Sequence, residues 1–455
     1  MPDRTLDPAD ITARYGEQVP RYTSYPTAPH FAEIGDDDLA ARFLSELDRR
    51  APVSVYLHIP YCDRLCWFCG CHTKMTRRYE PVARYVDSLV EEIAAFRTRA
   101  GRALTLDRLH LGGGSPSILK TEDFQRIREA LEASFSISPD AEIAVEIDPS
   151  DVTEDTLAGL RRLDVNRVSI GVQDFDPDVQ AAINRPQSFE VTRDVIAACR
   201  ADGLTAINID ALYGLPRQTP ERLMDTIGKV IELRPERIAL FGYAHVPWMK
   251  SHQKMIDEAD LPDQRQRFAD CERAATRIAS AGYETIGFDH FALPGDPLAK
   301  AARAGRLHRN FQGYTPDACE TLIGFGASAI SRYPGGFLQN IAPIETYRRA
   351  VSAGTSPAFR GYVMSEDDRI RAHAIERLMC DFELDLADLD ARFGAAARPV
   401  VRSALATLAA DPFGLAQVED GVFRMNEVGR PFVRTVASWF DGYLDRSAAQ
   451  YSKAV

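Results

Sequence analysis

The sequence predicts an α/β fold built on a parallel sheet, and three observations carry that expectation. Apolar runs of period two alternate along the chain with apolar positions at three- and four-residue spacing. Strand-like runs are followed by helix-like ones, which parallel pairing requires because its crossovers are long and usually helical. The chain has 455 residues, 45% hydrophobic and 26% charged, enough for a large core in a globular protein. Six or seven such units fit a partial or complete barrel better than a two-unit nucleotide fold.

Taken in order, residues 1–50 read as a polar lead-in segment that contains the unusual run Arg21–Thr27. Val53–Ile59 alternates and stops at Pro60, as a strand does. Val86, Leu89, Val90 and Ile93 share one face of a helix over Val82–Phe96, and Leu106–Leu111 is the next strand, broken by Gly112, Gly113 and Gly114. Further strands are expected at Glu142–Ile147, Arg167–Val172, Thr205–Leu212 and Arg237–Tyr243. The helices between them fall near Thr121–Ala133, Glu154–Leu163, Phe189–Arg200 and Pro220–Leu233. A helix over Gln264–Ala281 then leads into one more strand, Glu284–Phe288. Beyond residue 350 the pattern turns helical (Asp367–Cys380, Val400–Leu408) and ends in a short hairpin, Ala416–Asp420 with Val422–Met425. The expected division is a lead-in at 1–50, a catalytic barrel at 51–350 and a helical C-terminal domain at 351–455.

Net charge is −12, which argues against a general nucleic-acid binder. The N-terminus lacks the apolar core of a signal peptide, and no run approaches the ~18 apolar residues of a membrane span. The expectation is a cytoplasmic protein with reduced thiols. No heptad seam appears, so a monomer is expected. Four of the eight cysteines, Cys62, Cys66, Cys69 and Cys71, fall within ten residues just after the first strand. The scattered four (Cys199, Cys271, Cys319 and Cys380) read as small buried hydrophobes. Three thiolates at x3 and x2 spacing can grip three corners of an iron–sulfur cubane and leave one iron open. Four cysteines could equally close a structural zinc tetrahedron, but zinc sites more often use two separated CxxC knuckles, so the spacing favours iron.

A CxxxCxxC loop after a first strand, with a Gly-rich stretch after the second, resembles the radical S-adenosylmethionine superfamily. Within it the sequence is similar to the oxygen-independent coproporphyrinogen III oxidase family. The segments that carry the likeness are Arg21–Thr27, Tyr56–Cys62, Cys71, Val145–Pro149, Gly171–Phe175, Asn184-Arg185, Asn208–Pro216, Tyr243–Pro247, Gly287–Ala292 and His308–Tyr314. They span nearly the whole chain in order.

The resemblance implies a partial (β/α)6-type radical SAM barrel with a [4Fe–4S] cluster, one per chain, on Cys62, Cys66 and Cys69. It also implies two S-adenosylmethionine sites. Tyr56, Gly113, Glu146 and Ile330 match contacts to the first, and Phe68, Gly114, Ser115, Gln173, Arg185, Asp210 and Ala244 match contacts to the second. In such a family the cofactor carries the hard chemistry and the protein positions it. A 5′-deoxyadenosyl radical takes hydrogen from a substrate propionate; carbon dioxide and one further electron leave, and a vinyl group remains. Performed twice, this converts coproporphyrinogen III to protoporphyrinogen IX in haem biosynthesis. A reductase or flavodoxin-type electron donor is implied. Cys71 is expected to assist hydrogen transfer or substrate handling, His58 to support cofactor or cluster geometry, and Arg309, Asn310 and Gln312 to contact cofactor or a propionate. The chain carries Ser115-Pro116-Ser117 where relatives commonly have Thr after the glycines, a change that keeps a hydroxyl. A haem-binding or haem-transfer protein of the same superfamily is the alternative; such proteins generally lack Cys71 and the Arg21–Thr27 run.

Overall fold

Six strands run parallel and lie side by side in chain order in the computed structural model, which describes residues 19–35 and 39–444. They are β1 (Val53–Ile59), β2 (Leu104–Gly113), β3 (Phe135–Ile147), β4 (Arg167–Gln173), β5 (Ala206–Tyr213) and β6 (Arg237–Gly242). Helices connect them: α1 (Glu80–Ala100), α2 (Thr121–Ser134), α3 (Glu154–Arg162), α4 (Pro177–Ala182), α5 (Phe189–Ala201), α6 (Pro220–Glu232) and, after β6, α7 (Gln264–Ser280). Side chains at their N-caps start several of these crossovers, with Thr153, Asp176, Ser188, Thr219 and Asp263 each accepting from a backbone N–H one to three residues on. The first eighteen residues of the expected lead-in lie outside the described residues.

The pleat sorts the side chains. Leu109, Ile143, Val145, Val168, Ile170, Ile207, Ile209, Ile238 and Leu240 bury themselves in the same core as Val86, Leu89, Ile127, Leu160, Ile196 and Ile227 of the helices. The alternate positions, Arg108 and His110, Glu142 and Glu146, Arg167 and Ser169, Asn208 and Asp210, Arg237 and Phe241, all line one cavity. One face of six strands can meet around a single cavity only if the sheet curves. A strictly sequential strand order also keeps the helices on the outer face, unlike a doubly wound sheet.

Two expectations need correction. Glu284–Phe288 is not another parallel strand. Only Glu284–Ile286 is extended, and it pairs antiparallel with His290–Ala292, which runs antiparallel to β6. The chain reverses at Gly287, where φ is +58° and a Cβ would lie 2.0 Å from the Tyr314 ring; a residue alternation carries no information on strand direction. A further parallel strand instead flanks the other edge, Thr321–Phe325 beside β1. From there the sheet continues antiparallel through Ile330–Tyr333, Gly336–Asn340 and Ala358–Val363. It therefore runs past residue 350, and the helical layer begins with Glu366–Asp381.

The lead-in is not a separate arm among the described residues. Ala32–Glu33 pairs with Ala358–Val363. Val19, Tyr22 and Tyr25 join the C-terminal core of Ile375, Leu378, Val400, Phe423, Phe432 and Phe440.

Candidate active site

The cysteine loop leaves β1 at Pro60 and returns at Thr73, and a two-residue parallel ladder pins its base: Tyr61–Cys62 beside Lys74–Met75. The segment after α4 holds one flank. Trp67 N–H donates to the Ile183 carbonyl at 2.9 Å, the Asn184 amide to the Leu65 carbonyl at 2.9 Å, and Arg185 Nη1 to Cys66 Sγ at 3.3 Å. The loop after β6 holds the other. Gln253, 1% exposed, donates to the Phe68 carbonyl at 2.9 Å and the Ala244 carbonyl at 3.2 Å. Lys250 Nζ donates to the Cys71 carbonyl at 2.9 Å, and His252 bonds the Cys69 carbonyl at 2.7 Å.

Cys62, Cys66, Cys69 and Cys71 all line a cavity of about 910 Å³ enclosed by the curved sheet. Burial pushes the Cys62 thiol up to about 12 and raises Cys66, the latter opposed by Arg185. Cys69 is drawn down, because the Cys71 thiol and amide both donate to its sulfur; Cys71 is driven up by the same bond and by the Cys69 charge. The donor set fits a cubane better than a single ion. No group of three or more His, Cys, Asp or Glu side chains among the described residues converges closely enough to hold one metal ion, as a zinc tetrahedron would require. Three thiols on separate stations of one pinned loop, facing one cavity, suit separate corners of a cluster.

The glycines at the end of β2 are there because the space beside them is taken. A Cβ on Gly112 would lie 2.6 Å from the Glu146 carboxylate, one on Gly113 (φ +107°) 2.3 Å from the His58 ring, and one on Gly114 2.4 Å from the Tyr61 carbonyl. Gly114 and Ser115 N–H groups donate to the Ile59 and Tyr61 carbonyls, each at 2.8 Å, so this stretch lies flush against the base of the cysteine loop.

Strand ends carry the polar set. Glu146 accepts from His110 at 2.9 Å and from Gly113 N–H at 3.2 Å; together these overcome burial and hold its carboxyl below the usual range. Asp210 accepts from Asn208 at 2.7 Å and Ser169 at 3.2 Å, yet burial and then the Glu146 charge push it up to about 6. Arg185 is buried, pairs with Asp148 at 2.9 Å and donates to the Gly171 carbonyl at 2.5 Å. Gln173 sits at a register break with φ +69°, which turns the chain toward α4.

Of the residues expected from sequence, Phe68, Cys71, Gly113, Gly114, Ser115, Glu146, Gln173, Arg185, Asp210 and Ala244 line the same cavity as the three expected cluster cysteines. Arg309, Asn310 and Gln312 line it too. Tyr56, His58 and Ile330 are not on its wall. Tyr56 Oη meets His58 Nδ1 at 3.0 Å, and its ring stacks on His110 at 5.9 Å. His58 Nε2 meets the His72 carbonyl at 2.9 Å, and burial lowers its pKa to about 4, leaving a neutral ring. Ile330 lies against Gly324, the register partner of Tyr56. His110 escaped the sequence reading, although its alternation with Leu109 and Leu111, in step with Arg108, marks it as a polar inward position. Lys250, His252 and Gln253 had no such signal, since nothing in their spacing names the loop they hold.

A model of the radical SAM superfamily matches residues 56–230, and one of the HemN C-terminal domain matches residues 364–432. A curved parallel sheet with a three-thiol loop after its first strand is the arrangement of that superfamily, whose members carry a [4Fe–4S] cluster and use S-adenosylmethionine. The chain is 45% identical over 450 residues to an oxygen-independent coproporphyrinogen III oxidase of Bradyrhizobium diazoefficiens, covering 98% of this chain and 100% of that one. It is 37% identical over 450 residues to the oxygen-independent coproporphyrinogen III oxidase of Escherichia coli K12, covering 98% of each. The solved structure of coproporphyrinogen III oxidase (HemN) from Escherichia coli, a radical SAM enzyme, superposes with a TM-score of 0.88 at 36% identity, covering 94% of this chain and 100% of that one. The chain belongs to the oxygen-independent coproporphyrinogen III oxidase family. No helix among the described residues is long and apolar enough to cross a membrane.

Proposed function

We propose that this chain catalyses the oxygen-independent oxidative decarboxylation of two propionates of coproporphyrinogen III to vinyl groups, giving protoporphyrinogen IX in haem biosynthesis. One observation carries the reading: a single cavity joins the three-thiol loop to the polar ends of the strands, in a chain matched over 98% of its length by a relative of that name. The cluster and S-adenosylmethionine, when bound, supply a one-electron reductive cleavage and hence hydrogen abstraction from an unactivated carbon.

The chain's own groups do the rest. Cys62, Cys66 and Cys69 would hold the cluster. Glu146 and Gly113, with Tyr56 and Ile330 behind them, suit a first S-adenosylmethionine; Phe68, Gly114, Ser115, Gln173, Arg185, Asp210 and Ala244 suit a second. Carboxylates serve ribose hydroxyls or an ammonium, and Arg185 a carboxylate. Cys71, whose amide donates to Cys69 Sγ at 3.3 Å and which lines the same cavity, is the thiol outside the cluster set and assists hydrogen transfer or substrate handling. The chain acts in the cytoplasm as a monomer, reduced by a reductase or flavodoxin-type donor.

The deciding experiment is an anaerobic assay of reconstituted protein with S-adenosylmethionine and coproporphyrinogen III. Release of carbon dioxide with protoporphyrinogen is expected. Tight haem binding without carbon dioxide release would instead make the chain a haem carrier. In the same assay Cys71→Ser should lose turnover while keeping the cluster absorption; full turnover would remove Cys71 from the chemistry.

A further inference from the structure

The same cavity has a strongly basic stretch of wall of which only Arg309 entered the sequence reading, as a contact to cofactor or a propionate. Arg21 of the lead-in, Arg267 of α7, Arg309 and Arg434 come from four distant parts of the chain and line it together. Arg309 Nη2 donates to the Arg21 carbonyl at 3.4 Å, Arg21 Nη2 to the Gly242 carbonyl at 3.3 Å, and Arg267 Nη2 to the adjacent Tyr243 carbonyl at 2.8 Å. Arg434 is committed to the carbonyls of Val19 and Pro20, the latter at 3.1 Å. The charges feel one another: burial first, then Arg21, holds the Arg434 guanidinium down to about 9, and Arg309 adds to it.

The carboxylate coupled to this group is Asp289, which His290 already engages at 2.6 Å. Arg309 is 8% exposed, stacked 4.5 Å over Tyr314 and 5.3 Å over Phe288, and its Nε and Nη1 are buried without a hydrogen-bond partner. Arg267 Nε is in the same position. The three arginines lower in the barrel make a useful contrast. Arg108, Arg167 and Arg237 each also keep one buried nitrogen without a hydrogen-bond partner, but they meet Glu142, Asp296 and Asp107 at 2.8–3.8 Å, so acid and base balance there. Among the described residues Arg21, Arg267 and Arg309 form no such ion pair. Guanidinium forks that run from the buried Arg309 through the part-buried Arg267 to the exposed Arg21 along one cavity wall call for anions, and planar carboxylates match their geometry.

We propose that Arg21, Arg267 and Arg309 form a carboxylate subsite that anchors the propionates which the reaction leaves intact. This rests on the decarboxylase reading above and extends it to substrate orientation. Among the described residues, Arg21, Arg267 and Arg309 bond the carbonyls of Gly242, Gly214, Tyr243 and Arg21 and none of the cysteine loop, which sets the subsite apart from the thiols. Arg434 supports it by fixing the backbone that leads into Arg21.

The test is porphyrin fluorescence titration of the anaerobically reconstituted holoenzyme. The probes are coproporphyrin III, with all four propionates, and deuteroporphyrin IX, which has only the two that persist. Arg21→Gln should weaken both probes by roughly tenfold or more, the effect of losing one charge-assisted pair. Arg21→Lys should restore part of the loss, with cluster absorption and S-adenosylmethionine binding as in wild type. Arg309→Gln should act likewise, and Arg21, whose guanidinium bonds a single carbonyl among the described residues, covers the case in which the stacked Arg309 variant fails to fold. Unchanged binding of both probes would overturn the proposal, and so would weakening of coproporphyrin III alone, because the subsite would then hold the reacting propionates. Loss of S-adenosylmethionine binding with porphyrin binding intact would also overturn it. A wild-type enzyme that binds both probes but releases no carbon dioxide would sink the decarboxylase reading and leave the subsite standing.

Discussion

His58 shows how one side chain ties the cysteine loop to the glycine stretch. Its ring fills the space beside Gly113 and bonds the His72 carbonyl and the Tyr56 hydroxyl. Burial lowers its pKa from 6.5 to about 4. Between those values the unfolded chain carries a proton that the folded chain lacks, so His58 makes stability rise with pH across that window and adds no slope above it. The whole span is worth up to roughly 3 kcal/mol. Denaturant midpoints of His58→Gln should therefore rise less steeply over that window than those of wild type; an unchanged slope would exclude a buried neutral imidazole here. Among single residues, the cysteines stood out by their spacing, and Glu146, Arg185 and Asp210 through motifs shared with the family, two of them at strand ends. Gln253 was not, because its partners, Phe68 and Ala244, are joined to it only by the fold.

At the level of elements, the six parallel strands announced themselves through a plain alternation, polar toward the cavity and apolar toward the helices. Thr321–Phe325, Ile330–Tyr333 and Gly336–Asn340 did not. They are short and separated by Gly326, Gly335 and Gly336, and they are buried on both faces over much of their length, so no period survives. Glu284–Ile286 misled for the opposite reason, a good local pattern with a partner of the other direction. The turn of Gly112 to Gly114 is the element on which the site depends most. Gly114→Ala would drive a methyl to 2.4 Å from the Tyr61 carbonyl, and backbone there can yield only by lifting the base of the cysteine loop. A loss of about 1–3 kcal/mol is expected, with iron content reduced after reconstitution. Gly70→Ala, with nothing within 4 Å, should be near neutral in both measurements.

For the molecule as a whole, the core is laid down by the sheet, its helices and the C-terminal cluster, without any contribution from the thiols of the loop beyond Cys66. The iron-free protein should accordingly keep its far-UV dichroism and a cooperative melt close to that of the loaded form. Collapse of the melt on iron removal would show instead that the cluster holds the fold together. The C-terminal layer and the lead-in were legible as separate pieces but not as one body. Their union depends on Val19, Tyr22 and Tyr25 entering a core more than three hundred residues away, which no local pattern records.

The clasp on the cysteine loop also sets an order of events. Its two flanks are held by Ile183–Arg185 and by Lys250–Gln253, segments that lie more than one hundred residues downstream and reach the loop only once β4, β5 and β6 are in place. With the proposed ligand set, cluster loading is expected to follow the folding of β4 to β6, and a chain cut before residue 183 should take up no stable cluster on reconstitution.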